Sequence, residues 1–361
     1  MEKYYAGIDI GGQGLKGIVL DQAGVLRIEA MRSTPAGEGR DAVLRIVADL
    51  VKELSSLGPL SSMGVGSPGG VDRAGVVVGM AANISGWAGT GLGEAVAAMA
   101  GAPCVVRNDA NLAAYAEWVA RSDSSWALLF IGLGTGIGGG FVEDGRILGG
   151  CNDRAVEIGH SVIEPGGRRC ACGVAGCAEA YASGPSMGRI AADLALGRDA
   201  GLGSLEPRGL GESLEGSALA ARARAGEQLN AHDVYAAYAR GDSLAKLVDS
   251  IAAAALARAA AIGMALLAPD TLVLLKELPI SVRGSRSFCR SSSTTMDGRI
   301  AGWKRPVFHI RPGSMEPHFT ELPRSRTLRV WPLWQLKHWR VSLRPEGSPA
   351  SRRDGSSNGE R

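Results

Sequence analysis

Short apolar runs alternate with stretches of helical spacing through the first half of the chain. Residues 4–10 and 14–20 form two strand-like runs on either side of a glycine-rich turn. Apolar residues recur every three or four positions between residues 41 and 57, which predicts one face of a helix. The remaining predicted strands of this half are 63–66, 103–107, 126–133 and 140–142, and the remaining predicted helices are 91–101 and 110–120. Because strands and helices alternate, the pattern predicts an α/β fold.

The second half is rich in alanine and has mainly helical spacing between residues 184 and 268. Its most apolar run, residues 251–268, is long enough to approach a membrane span. Arg258 lies at the middle of this run and alanine dominates it, so we expect a buried helix of a folded domain and no membrane partner. Residues 271–275 (TLVLL) then predict one more buried strand.

The character of the sequence changes after residue 275. Alanine becomes rare, serine and arginine become common, and four of the seven tryptophans lie in residues 276–361. The formal charge is −7 for residues 1–275 and +10 for residues 276–361, although the whole chain carries only +3. The main body is therefore mildly acidic, and we expect no nucleic-acid partner for it.

The distribution of cysteines and the first residues favour a cytoplasmic protein. Three of the six cysteines lie within residues 170–177, which indicates metal binding rather than a disulfide framework. Residues 1–6 are polar and lead directly into the first predicted strand, without the basic and apolar regions of a secretory signal.

Two glycine-rich turns follow predicted strands. Residues 9–16 (DIGGQGLK) and 132–140 (GLGTGIGGG) would let the backbone approach a phosphate closely and present N–H groups to it. Ordinary hairpin turns are the alternative interpretation. The second turn also matches the dinucleotide fingerprint at Gly134, Gly136 and Gly139, but a strand follows it where that fingerprint requires a helix. Two strand–turn–strand units therefore favour an ATP site made by two hairpins over a dinucleotide site.

A polar pair, Asn108 and Asp109, follows the strand predicted at residues 103–107. Either side chain is suited to cap the helix that comes next. A carboxylate at the carboxyl end of a strand is also placed to accept a proton from an attacking hydroxyl. The sequence leaves both interpretations open.

The strongest chemical signal is a cluster of one histidine and three cysteines in a glycine-rich stretch. The residues of this Cys₃His set, which structural zinc favours, are His160, Cys170, Cys172 and Cys177. Four protein ligands close the coordination sphere, so the predicted zinc is structural rather than catalytic. Glu157 and Glu179 flank the cluster and are either surface carboxylates or ligands for substrate hydroxyls.

These motifs resemble those of the ROK (repressor, ORF, kinase) family of sugar kinases, most of all its bacterial-type glucokinases. The matching stretches occur in the family's order and cover about residues 1–275: DIGG-x-x-x-K at 9–16, GSPGGVD at 66–72, NISGW at 83–87, NDAN at 108–111, LGTGIGGG at 133–140 and the zinc signature at 157–179. The zinc signature is the most specific of these matches.

The resemblance implies a two-lobed actin/hexokinase-like (ribonuclease H-like) α/β fold with a zinc-binding loop and a sugar held between the lobes. The lobes would comprise residues 1–115 and 116–275. The implied activity is phosphorylation of a hexose, with glucose as the first expectation, at the 6-hydroxyl. The implied cofactors are ATP, Mg²⁺ and structural Zn²⁺, and a homodimer is a further expectation from the family.

The resemblance also assigns roles to residues. Asp109 corresponds to the general base that takes the proton of the sugar 6-hydroxyl, and His160 would bind zinc through one ring nitrogen and face the sugar with the other. The expected sugar ligands are Gly69, Asn83, Asn108, Glu157, His160 and Glu179. The expected contacts to the ATP phosphates and Mg²⁺ are Asp9, Gly11, Gly12, Gln13, Lys16, Gly134, Thr135 and Gly136.

Two positions depart from the family pattern. Gln13 stands where the family usually has threonine, which would alter a phosphate contact. Leu275 runs into Lys276 and Glu277, where the family has a glycine turn that meets the nucleotide. We therefore hypothesise that residues 276–361 are a non-family tail that is out of frame, replaced or disordered.

Three alternative functions stay open at this stage. The sugar could instead be N-acetylglucosamine, N-acetylmannosamine or fructose, and polyphosphate could replace ATP as the donor. The tail raises a second alternative, a catalytically impaired protein that still binds sugar. A ROK transcriptional repressor is the third, although such repressors carry an amino-terminal helix-turn-helix and the first glycine turn here begins at Asp9.

Overall fold

The computed structural model describes residues 2–79, 84–121, 125–206 and 214–276, together with the backbone of residues 307–309. Two five-stranded sheets and the helices packed on them make up this part of the chain. Apart from two short strand segments, residues 276–361 lie outside the described residues, and the hypothesis about them stays a hypothesis.

The first sheet combines an antiparallel meander with two parallel strands. Its elements in chain order are β1 (Tyr4–Ile10), β2 (Gly14–Asp21), β3 (Leu26–Ser33), α1 (Arg40–Leu54), β4 (Leu60–Ser67), the small hairpin of β5 (Gly70–Val71) and β6 (Val77–Val78), α2 (Leu92–Ala100) and β7 (Cys104–Asn108). The order across the sheet is β3-β2-β1-β4-β7. β1, β4 and β7 run parallel, so their carboxyl ends meet at one edge.

The predicted helix at residues 41–57 is confirmed as α1, and its apolar face covers this sheet. Val43, Val47, Leu50 and Leu54 share one buried cluster with strand residues such as Ile8. Complete burial of each of these side chains contributes about 1.5–3 kcal/mol, which is why spacing alone revealed the helix.

Strand β3 was not predicted from the sequence. Only Ala30 is buried among its eight residues, and three of the others, Arg27, Glu29 and Arg32, are charged. The strand lies at the edge of the sheet, where polar side chains can face solvent on both sides. Its apolar signal is therefore too weak to mark a strand.

The second sheet repeats the meander of the first. Its elements are α3 (Asp109–Val119), β8 (Ala127–Leu133), β9 (Ile137–Glu143), β10 (Arg146–Ile147), α4 (Glu179–Ala182), α5 (Gly184–Ala195), α6 (Ala218–Arg224), α7 (Ala231–Ala239), α8 (Ser243–Leu267), β11 (Thr271–Lys276) and β12 (Val307–His309). The order is β10-β9-β8-β11-β12, and β11 runs parallel to β8 as β4 runs parallel to β1. The fifth strands differ, since β7 is parallel to its neighbour and β12 is antiparallel.

Helix α8 is apolar enough and long enough to cross a membrane, with a mean hydropathy of 1.8 over its best window. In the fold it is a core helix, as predicted for residues 251–268. Its buried side chains share the large second core with α5 and α7, and they include Leu244, Val248, Ile251, Ala255 and Ala259.

Helix α3 lies unusually close to β9, because β9 presents glycines to it. A Cβ at Gly140 would lie 2.6 Å from the Ala114 Cβ and 2.8 Å from the Ala110 carbonyl oxygen. A Cβ at Gly138 would lie 2.9 Å from the Ala110 Cβ. The later glycines of the second glycine run therefore serve helix packing. Helix α3 packs on the second sheet. It includes residue 115, where the boundary between the two lobes was predicted, and that boundary stays a prediction.

This packing predicts a large effect of one methyl group. Gly140→Ala should lower the free energy of unfolding by about 1–3 kcal/mol, because the added carbon has no room against α3. Gly37→Ala is the matched control, since a Cβ at that exposed glycine meets nothing within 4 Å, and its change should stay within about 0.5 kcal/mol. Urea denaturation measures both. Equal stability of the two variants would show that α3 can move away from β9 without cost.

Candidate functional site

The turn between β1 and β2 is held from outside by Thr34. The Gly11 N–H donates to the Gly14 carbonyl oxygen at 3.0 Å and closes the turn. The Thr34 hydroxyl donates to the Gly11 carbonyl oxygen at 2.6 Å, and the Thr34 N–H donates to the Gln13 carbonyl oxygen at 3.2 Å. A Cβ at Gly11 would lie 3.0 Å from the Gly14 oxygen, so the turn favours glycine. Thr34 was not predicted, because no motif links it to the turn.

The other predicted residues of the first glycine turn lie at the same edge of the sheet. Asp9 and Lys16 are cross-strand partners in β1 and β2. Asp9 and Gly12 are half-buried, whereas Gln13 and Lys16 are exposed. The turn and the lysine beside it are thus partly open to solvent, as a phosphate-binding turn requires.

The N-terminus of α3 carries the predicted base. Asn108 caps the helix, because its Oδ1 accepts a hydrogen bond from the Asn111 N–H at 3.1 Å. The Asn108 amide nitrogen donates to the Gly69 carbonyl oxygen and to Asp109 Oδ1, each at 3.1 Å. Asp109 Oδ1 also accepts from the Ala110 N–H at 2.8 Å. These two hydrogen bonds reach the same oxygen of Asp109, Oδ1.

The environment of Asp109 changes its proton affinity. Burial raises the pKa of Asp109 to about 6, and the negative charge of Glu157 adds to the rise against the lowering effect of the Ala110 N–H. Glu157 is exposed and follows β9 and β10 in the chain, so this interaction joins the two halves of the fold. A carboxyl group with a pKa near neutrality is suited to general-base catalysis.

The turn after β4 presents Gly69 to the same place. Gly69 has φ +85°, a conformation that favours glycine. Before it, the fully buried Ser67 accepts a hydrogen bond from the Trp87 indole N–H at 3.0 Å, which anchors the turn. Asn83, the remaining predicted sugar ligand of this half, lies outside the described residues.

The second glycine turn is tied to Glu179. The Gly134 N–H donates to the Gly136 carbonyl oxygen at 3.0 Å, with Thr135 exposed between them. The Ile137 N–H donates to Glu179 Oε2 at 2.9 Å, and a Cβ at Gly136 would lie 2.7 Å from that oxygen. Glu179 was predicted as a sugar ligand. One of its oxygens supports the glycine turn, a contact that spacing along the chain could not reveal.

The four predicted zinc ligands come together. Their donor atoms all lie within 4.8 Å of one another. The Sγ atoms of Cys172 and Cys177 are 3.6 Å apart, and Cys170 Sγ lies 3.7 Å from His160 Nδ1. A tetrahedron of bonds of about 2.3 Å has edges of about 3.8 Å, so the donor set fits a zinc ion. Burial raises the pKa of the Cys177 thiol to about 12, an effect that a bound cation reverses.

A network from helix α8 orders the loop that contains this cluster. Arg258 donates to the Ile163 carbonyl oxygen at 3.2 Å and to Glu164 Oε2 at 2.8 Å. It also donates to Ser204 Oγ at 2.9 Å. Arg258, in the middle of the apolar helix α8, therefore holds the cysteine-containing loop against the second core through hydrogen bonds.

Comparison with known proteins identifies one family, whose similar members are named as kinases of two different sugars. The family model described as "ROK family" matches residues 5–279. A glucokinase from Halalkalibacterium halodurans is 38% identical over 199 residues, and an N-acetylmannosamine kinase from Salmonella paratyphi A is 36% identical over 195 residues. The matched segments cover 53% and 54% of this chain and 60% and 66% of those relatives. The chain therefore spans less than two thirds of the length of either relative.

A solved structure shares the fold. It is a ROK family glucokinase from Streptomyces griseus in complex with glucose and AMPPNP, 27% identical to this chain with a TM-score of 0.60. The superposition covers 76% of this chain and 83% of that one. The predicted hexokinase-like α/β fold is thereby confirmed, and its two large sheets are mixed.

Zinc content tests the metal assignment. Cys177→Ser should reduce bound zinc from about one ion per chain to a small fraction, because it removes one of four ligands from a closed site. Cys151→Ser is the matched control, since Cys151 is an exposed cysteine outside the cluster and its loss should leave zinc bound. Elemental analysis of protein purified without chelator measures the ratio. Zinc-free unmodified protein, or equal zinc in the two variants, would contradict the assignment.

Proposed function

The chain belongs to the ROK family, and we propose that it is a sugar kinase that transfers the terminal phosphoryl group of ATP to the 6-hydroxyl of a hexose. The environment of Asp109 carries the proposal. This half-buried carboxyl group has a raised pKa, follows the carboxyl end of β7 and accepts hydrogen bonds from Asn108 and Ala110 on Oδ1. The glycine turns after β1 and β8 supply the two phosphate-binding elements that such a transfer needs.

In the proposed reaction Asp109 is the general base. It accepts the proton of the sugar 6-hydroxyl while that oxygen attacks the γ-phosphorus of ATP. The bond from the γ-phosphorus to the β,γ-bridging oxygen breaks, and its electron pair leaves with ADP. Catalysis then depends chiefly on holding the hydroxyl in line with the phosphate, because phosphoryl transfer requires little covalent work from the protein.

The donor side uses the two glycine turns. The Gly11 and Gly134 N–H groups close their own turns, so the proposed phosphate donors are the backbone N–H groups of Gly12, Gln13, Thr135 and Gly136. Lys16 adds a positive charge. Bound Mg²⁺, held near Asp9, would neutralise the phosphate charge during transfer.

The sugar side combines backbone, carboxylates and a metal-held histidine. The proposed sugar ligands are Gly69, Asn83, Asn108, Glu157, His160 and Glu179. Because His160 Nδ1 belongs to the cysteine cluster, Nε2 is the ring nitrogen that would meet the sugar. Structural zinc would thus fix the tautomer and orientation of this ring.

Glucose is the first candidate substrate, and N-acetylmannosamine is the second, because the relatives described above carry both names. The two sugars differ in the configuration and substituent at carbon 2. The side chains proposed to contact the sugar, Asn83 and Glu179 among them, would discriminate between the two sugars. A cytoplasmic location and a homodimer stay predictions, and polyphosphate stays an open alternative to ATP as the donor.

Sugar-dependent ADP release tests the function. Glucose, N-acetylmannosamine, N-acetylglucosamine and fructose are each supplied with Mg-ATP, and we expect the highest turnover with glucose. Asp109→Asn should lower turnover by about 100-fold or more, because the amide cannot accept the proton. Asp49→Asn, an exposed carboxylate of α1, is the control and should keep the unmodified rate. No turnover with any sugar from zinc-loaded protein would contradict the proposal.

The pH dependence tests the role of Asp109 separately. Its raised pKa of about 6 means that the carboxyl group becomes protonated, and unable to act as a base, as the pH falls through that value. The value of kcat/KM should therefore fall about tenfold for each pH unit below the pKa and level off above it. An acid limb that starts only in the ordinary range of exposed carboxyl groups would argue against Asp109 as the base.

A further inference from the structure

Asp153 is a buried carboxylate that the proposed reaction does not use. It ends a short helical turn, Cys151–Asp153, between β10 and Glu157, and it is only 9% exposed. Its neighbours Asn152 and Arg154 are exposed, so the chain turns inward at this one residue. No motif of the sequence drew attention to it.

Asp153 binds residues on both sides of the candidate base. Its Oδ2 accepts hydrogen bonds from Arg107 Nε at 2.6 Å and from the Asn108 N–H at 3.2 Å. Its carbonyl oxygen accepts a hydrogen bond from Asn111 Nδ2 at 2.9 Å. Asp109 lies between these partners in the chain, so a single residue of the second half holds the turn before it and the helix after it.

The carboxylate is much better shielded than its cationic partner. The Asp153 side chain is 8% exposed and the Arg107 side chain is 33% exposed. Charge-assisted hydrogen bonds are shorter and stronger than neutral ones, and salt and solvent screen a buried pair less than an exposed one. Asp153 also accepts a hydrogen bond from the Asn108 backbone N–H. An ion pair between two mobile surface side chains would have no such bond to the backbone.

The loop adopts a disfavoured backbone conformation around this contact. The angle φ is +56° at both Asn152 and Asp153 and +62° at Val156. Left-handed backbone at a β-branched residue is uncommon and persists only where the surroundings impose it. A Cβ at Gly149 would lie 2.5 Å from Asp153 Oδ1, so this glycine makes room for the carboxylate. The loop is shaped around the inward position of Asp153.

We propose that Asp153 is a positioning residue for phosphoryl transfer, which fixes the turn of Asn108 and so the direction of the Asp109 carboxylate without touching the substrate. The inference rests on the proposed kinase function. A displacement of Asn108 passes directly to Asp109, because the Asn108 amide nitrogen donates to Asp109 Oδ1. Loss of this contact should therefore lower kcat more than it lowers the stability of the fold.

The kinetic test compares Asp153→Asn with Asp21→Asn. Asp21 is a matched control, because it is 3% exposed and also accepts hydrogen bonds from backbone N–H groups and an arginine, Arg27, but at the turn between β2 and β3. Asp153→Asn should lower kcat about tenfold or more and change the sugar KM by less than about threefold. Asp153→Gly suits the left-handed backbone and should give the same loss of kcat, since it too lacks the carboxylate. Asp21→Asn should leave both constants unchanged.

Amide hydrogen exchange gives a second readout that does not depend on turnover. Backbone amides of residues 107–112 should exchange faster in Asp153→Asn than in the unmodified chain or in Asp21→Asn. Unchanged exchange, or a kcat within about twofold of the unmodified value, would overturn the positioning role. An equal loss of thermal stability and kcat in the two variants would also overturn it. An unmodified chain without turnover would instead overturn the kinase proposal on which the inference rests.

Discussion

Parallel hydrogen bonding between β1, β4 and β7 brings Asp9, Gly66 and Arg107 into one row at the carboxyl edge of the first sheet. Neighbouring strands are about 4.8 Å apart, and the backbone sets this spacing before any side chain contributes. Whatever follows each strand then emerges at the same edge. The first glycine turn, the turn at Gly69 and the carboxylate of Asp109 are neighbours for this reason, although almost a hundred residues separate them along the chain.

Helix α3 depends on a second constraint, the glycines of β9 at the positions that contact it. Its first turn is capped by Asn108 at the end of the first sheet, while its body packs against Gly138 and Gly140 of the second. The glycine run that follows β8 therefore has two uses. The turn at residues 134–136 is partly open to solvent, and the glycines of the strand after it let α3 pack closely. Asp109 is held where both sheets meet the same helix.

The sequence predicted the features that are local in the chain. Helix α1, the two hairpins and the Cys₃His cluster were found because their signals lie within a few turns of chain or one spacing pattern. The contacts that fix the candidate site were not found. Thr34 reaches the first glycine turn across β2 and β3, and Asp153 reaches Asn108 across 45 positions. Such contacts depend on sheet order and loop conformation, which no periodicity encodes.

The end of β11 has a consequence for handling the protein. Lys276 pairs in register with Leu133, the residue just before the second glycine turn, so the chain leaves the described core beside that turn. Residue 276 is therefore a poor place to insert an affinity tag, a fluorescent label or a fusion partner. Anything inserted there would start beside the second glycine turn and compete for space with a ligand of that turn, whereas Tyr4 lies at the end of β1 opposite to Asp9 and the first glycine turn.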